Sequence, residues 1–93
     1  MSHDFDWDPW KAGENLSKHG ISFAQAIQAF NDPNGLYFAD VEHSDGETRE
    51  TVIGATNDGL ILYVVFTERR SNVFRIISAR EATKTEKQNY HEK

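Results

Sequence analysis

The chain has no cysteine, a single methionine and only two prolines, and no apolar run approaches the ~20 residues that a membrane span requires. Without thiols there is neither a disulfide framework nor a thiolate metal site, and a reducing compartment is the natural expectation. The opening residues, from Met1 to Asp8, hold no basic segment followed by an apolar one, so no secretory leader is expected and the cytoplasm is the expected location. His3, His19, His43 and His91 are scattered without the spacing of a zinc site. The glycines stand alone rather than in a phosphate-cradling loop, and no serine has a histidine and a carboxylate arranged for nucleophilic catalysis.

A surplus of positive charge is also missing. The net charge of -5 argues against a nucleic-acid partner for the molecule as a whole. Its distribution argues differently. From Glu68 to Lys93 there are seven Lys or Arg against four Glu, whereas from Met1 to Thr67 there are three against eleven acidic residues. A basic segment on an acidic body can hold a local anion site, because at ordinary salt the field decays over about 8 to 10 Å. The acidic body could equally dock a basic partner. At 93 residues the chain is expected to form one domain, residues 1–93, with one core.

What is present is concentrated between Leu60 and Arg80. Two runs rich in Val, Ile, Tyr and Phe are broken once by Arg70-Ser71-Asn72, the pattern of a hairpin of central strands. Arg69, Arg70, Arg75 and Arg80 cluster at its turn and end. A core hairpin has no use for guanidinium groups, whereas a phosphate site needs planar, permanently charged donors. Ahead of it, Phe5-Asp6-Trp7 can form a short edge strand, and Asp8-Pro9 caps a helix running to His19 with Gly20 as its left-handed cap. Its buried stripe is expected at Ala12, Leu16 and His19. Ser22-Phe23-Ala24-Gln25 is a capping box for a second helix with Phe23, Ala26, Ile27 and Phe30 on one face.

Leu36 to Val41 and Arg49 to Thr56 read as strands, separated by an Asp45-Gly46 turn. The expected fold is therefore α+β: two N-terminal helices packed on a four-stranded antiparallel sheet, a short N-terminal edge strand left open, and a short C-terminal helix. Two capping boxes, Ser78 with Glu81 and Thr83 with Glu86, compete for the start of that last helix, whose one large apolar residue is Tyr90.

Several stretches in chain order resemble one family. They are Trp7-Asp8-Pro9, Lys11, Asn15, Lys18-His19-Gly20, Phe23, Ala26, Phe30, Asp32-Pro33, Gly46-Glu47 with Arg49, Gly54, Val64-Val65-Phe66-Thr67 with Arg69, Arg75-Ile76-Ile77-Ser78-Ala79-Arg80, Ala82, Glu86 and Tyr90. Together they resemble the BrnT family of type II toxins, ribonucleases of RelE-like fold. The resemblance implies a toxin that cleaves RNA without a metal or other cofactor. It also implies neutralisation by a cognate BrnA-like antitoxin with a ribbon-helix-helix DNA-binding domain, through which alone the toxin would reach operator DNA. Where the family pattern has a glycine and a tighter turn after Arg69, this chain has Arg70, Ser71 and Asn72. An odd loop would place Arg69 and Arg75 on one face, an even loop on opposite faces.

Metal-free RNA cleavage needs a base for the 2'-hydroxyl, a proton for the leaving 5'-oxygen, and positive charge on the phosphate between them. Arg69 and Arg75 are the candidate clamps, set against an ion pair with Glu68 or Glu50. Arg80 is a third, set against a salt bridge to Glu81 or Glu47, and Arg49 a fourth, set against a cross-strand pair. His19 is the candidate for proton transfer, with the alternative that it only complements the helix dipole. Glu47 or Glu68 could act as base instead. Lys18 and Tyr90 complete the candidate RNA contacts, Tyr90 by stacking on a base or simply by anchoring the last helix. Two other classes compete with the enzyme: a toxin fold that has lost activity and serves as a binding partner or co-repressor, and a small structural domain whose arginines pair with its glutamates.

Overall fold

The computed structural model describes residues 4–39, 49–70 and 72–92. Its elements in chain order are β1 (Asp4–Asp6), α1 (Pro9–His19), α2 (Phe23–Phe30), β2 (Leu36–Ala39), β3 (Glu50–Ala55), β4 (Ile61–Arg70), β5 (Val73–Glu81) and α3 (Lys84–Glu92). The Asp45-Gly46 turn and Glu47 lie outside the described residues.

Local chemistry sets the helix ends. Asp8 accepts from the Trp10 backbone N–H at 2.9 Å, Pro9 occupies the first turn, and Gly20 closes α1 at φ 72°. In α2 the Ser22 hydroxyl and the Gln25 side chain each take the other's backbone N–H, the reciprocal capping box. Thr83 and Glu86 do the same for α3, while Ser78 stays inside β5, which runs on to Glu81.

The sheet has five strands in the order β1-β5-β4-β3-β2. From β2 to β5 it is the expected antiparallel meander. The expectation of four antiparallel strands needs one correction: β1 is a true strand and pairs parallel to β5, Asp4 with Val73 through Asp6 with Arg75, making the sheet mixed. Val52, Leu62, Val64, Phe66, Ile76 and Ala79 bury one face against Phe23, Ala26 and Ala29 of α2. Alternation turns Ile53 and Tyr63 to the other face, where Ala82 and Tyr90 cover them as α3 folds back. Gly54 is where α2 comes closest to the sheet: a Cβ there would stand 2.5 Å from the Ala29 carbonyl oxygen.

The expected buried stripe of α1 holds at Ala12, which packs partly buried against the core, and is corrected at its other two positions. Leu16 is 51% exposed and His19 is exposed, whereas Asn15 is only 6% exposed. Asn15 accepts from the Ala79 N–H at 3.1 Å and donates to the Ala79 and Ile21 carbonyls at 2.8 and 2.9 Å. Because β1 stops at Asp6, β5 has no strand neighbour among the described residues beside Ala79 on that edge, and the Asn15 amide stands in for one. Each group it satisfies would otherwise cost about 1–3 kcal/mol to bury.

Candidate active site

Two bulges set the faces that the arginines take. Arg70 pairs with Val73, leaving a two-residue connection, an even count that by simple alternation would put Arg69 and Arg75 on opposite faces. The register shifts between Glu68 and Arg70, so that Arg75 pairs with Thr67 and Arg69 is the extra residue. Thus Arg69 and Arg75 line one hollow despite the even loop. A second shift makes Ile77 an extra residue in β5, since Val65 pairs with Ser78 but Phe66 with Ile76. Arg75 and Arg80, five apart, consequently share a face. Bulges are the ordinary device by which a sheet re-aims side chains beside a site.

The hollow, about 210 Å³, lies in the notch where β1 ends and α1 begins. Its walls are Arg69, Arg75, Arg49, Lys11 and Asp8, with Ile76 and the bulged Ile77 behind them. Arg75 and Thr67 share a ladder line with Asp6, and the pairing of Glu50 with Phe66 carries that line on to Arg49. Arg75 is steadied by Asp6, Nη1 to Oδ1 at 3.3 Å, with both side chains partly exposed. A guanidinium has five donors, so this one contact leaves Arg75 able to take an incoming anion. Four cations and the Asp8 carboxylate line the hollow, with Asp6 held on Arg75 beside it, and three of the four cations are guanidiniums, the group whose forked geometry matches phosphate oxygens.

A second hollow, about 270 Å³, adjoins the first and shares Lys11 and Ile77 with it. His19, Lys18, Glu14, Asn15 and Ser78 complete its lining. The structure thus brings Arg49, Arg69 and Arg75 together and sets His19 and Lys18 next door. Glu68, another candidate base, is exposed and accepts from the Asn72 N–H at 3.4 Å across the hairpin turn.

Arg80 and Tyr90 are not brought to either hollow. Arg80 binds Glu86 with both oxygens, at 2.8 and 3.0 Å, donates to the Glu81 carbonyl at 3.2 Å, and lies 4.0 Å over the Tyr63 ring. The pairing raises the Arg80 pKa and, aided by the Thr83 N–H, holds Glu86 below the usual carboxylate range. Its expected partners were Glu81 or Glu47; its carboxylate is that of Glu86 instead. The Tyr90 hydroxyl donates to Asp32, which also accepts from the Ala55 N–H at 2.8 Å, and this bond with burial pushes the phenol up to about 12. Asp8 and Lys11 were missed as lining residues. The signal was their spacing, three apart across the first turn of a helix, which places both on one side of α1.

No curated protein matches the chain. A solved structure does: the crystal structure of the Brucella abortus ribonuclease toxin BrnT is 27% identical, with a TM-score of 0.70 over 89% of this chain and 100% of that one. The family model for the ribonuclease toxin BrnT of type II toxin-antitoxin systems matches residues 7–86, a span holding Asp8, Lys11 and all three arginines of the hollow. This chain belongs to the BrnT family of ribonuclease toxins.

Proposed function

We propose that the chain is a metal-independent endoribonuclease that cleaves RNA by in-line attack of a 2'-hydroxyl on the adjacent phosphate. The observation that supports this is the meeting of Arg49, Arg69 and Arg75, from three separate segments, around one hollow of about 210 Å³. Guanidiniums supply there the positive charge that a pentacoordinate phosphate needs. His19, in the adjoining hollow, is the proton carrier of this reading, with Glu68 as the alternative base. Arg80 and Tyr90 fasten α3. The chain arrests growth from the cytoplasm and is neutralised by a BrnA-like antitoxin carrying a ribbon-helix-helix domain.

The test is incubation with single-stranded RNA in the presence of EDTA. Expected products carry 2',3'-cyclic phosphate and 5'-hydroxyl ends, and one 2'-deoxy substitution at the cut position blocks the cut. Intact RNA with and without divalent metal would refute the nuclease. Intact RNA together with a tight antitoxin complex would favour the binding module.

A further inference from the structure

We propose that Trp10 is a stacking platform for an RNA base beside the phosphate held in the arginine hollow, the strand continuing along α1 past Lys18. This rests on the ribonuclease reading above. Trp10 is 75% exposed, more than any other large hydrophobic side chain described, and makes no ring contact with a described residue. Three residues earlier Trp7 behaves as a core residue does, packed edge-on against Phe23 at 5.9 Å. Nothing in the folding of α1 needs the Trp10 indole, since Asp8 and Pro9 set the helix start and only the Trp10 backbone N–H takes part.

Its position gives it a use. Lys11, the next residue, lines both hollows, and Glu14 and Lys18 line the second. At 3.6 residues per turn Trp10 stands one turn ahead of Glu14 and about 100° around α1 from Lys11, so it lines neither hollow and flanks them on the exposed side of the helix. At about 210 and 270 Å³, each hollow is smaller than the ~300 Å³ at which small-molecule sites begin. Joined at Lys11, they form a short cationic track, which fits a polyanion. A single strand drawn through such a track turns its bases aside, and an aromatic face takes a base of any sequence.

The experiment titrates the full chain with a dye-labelled, single-stranded 2'-O-methyl oligoribonucleotide, which has no hydroxyl to react, and reads both anisotropy and tryptophan emission. In the wild type, binding quenches the exposed-indole emission. In Trp10→Ala the quenching disappears and affinity falls about tenfold. Trp10→Phe keeps most of the affinity. Unchanged affinity in Trp10→Ala, quenching that persists through Trp7, or no binding by the wild type overturns the proposal. So does normal RNA binding by Trp10→Ala with loss of antitoxin neutralisation, which would make the surface a protein contact. Trp10-dependent binding without cleavage of ordinary RNA would sink the nuclease and leave the platform. Cleavage with an unchanged KM in Trp10→Ala would do the reverse.

Discussion

The two ends of β5 carry the same side chain on the same face and use it differently. At one end Arg75 touches Asp6 once, at 3.3 Å, and opens onto a hollow shared with two further arginines. At the other, roughly 13 Å along the sheet as β4 spans it from Thr67 to Tyr63, Arg80 spends its donors on Glu86 and Glu81 and its face on Tyr63. An arginine is available to substrate in proportion to the donors its neighbours leave over. Charge and strand position alone do not distinguish the two. What lies beside each does: β1 stops at Asp6 and leaves a notch, whereas α3 folds back and fills the space over Arg80.

The sharpest break of that comparison is Arg75→Ala against Arg80→Ala in the same RNA assay. Arg75→Ala should lower cleavage by about 100-fold or more, with a melting temperature close to that of the wild type, because a partly exposed pair contributes about 0–1 kcal/mol. Arg75→Lys should not restore the rate, since an ammonium cannot hold two phosphate oxygens in a fork. Equal loss of cleavage in Arg80→Ala, with α3 still docked, would show that both ends serve the reaction.

The next effect is on the strand between the two ends. Asn15→Ala strips the partner from the buried Ala79 N–H and carbonyl, with an expected cost of about 2–4 kcal/mol in chemical denaturation. Asn15→Leu should do no better despite its larger apolar surface. A loss below ~0.5 kcal/mol would mean that water or a shift of α1 replaces the amide.

Asn15 also shows where the sequence stops being legible. Both N-terminal helices could be bounded from Asp8-Pro9, Gly20 and the Ser22–Gln25 box, because these act on backbone groups within a few residues. The stripe of α1 could not be read from hydrophobicity. Its buried residue is a polar one whose partners, at Ala79, stand 64 positions away. The same distance hid the pairing of β1, whose three residues meet a strand near the other end of the chain. The arginines of the site were legible as chemistry, and the convergence of Arg69 with Arg75 depended on a bulge at Arg69 that no alternation rule supplies. Lys11 and Asp8 became site residues only through the notch beside β5.

Arg80→Ala should weaken the closed end by about 1–2 kcal/mol, seen as faster amide exchange in α3, since it breaks a two-pronged pair that is only partly buried. Glu86 has a depressed pKa in the fold, so its contribution is full above its unfolded value and is lost as pH falls through the folded one. Acid should therefore loosen α3.

The smallest effect tests the second tether of α3 from the alkaline side. The Tyr90 phenol, ordinarily titrating near 10, is held up to about 12 by its bond to Asp32 and by burial. The fold thus binds that proton more tightly than the unfolded chain does. The stabilisation is complete below pH 10 and disappears as pH rises through about 12. Tyr90→Phe should cost about 1 kcal/mol at neutral pH and should flatten the fall in stability between pH 10 and 12. RNA cleavage at neutral pH should be unchanged. A steep alkaline limb that survives Tyr90→Phe would assign it to another group, and a loss of cleavage would tie α3 to the arginine hollow after all.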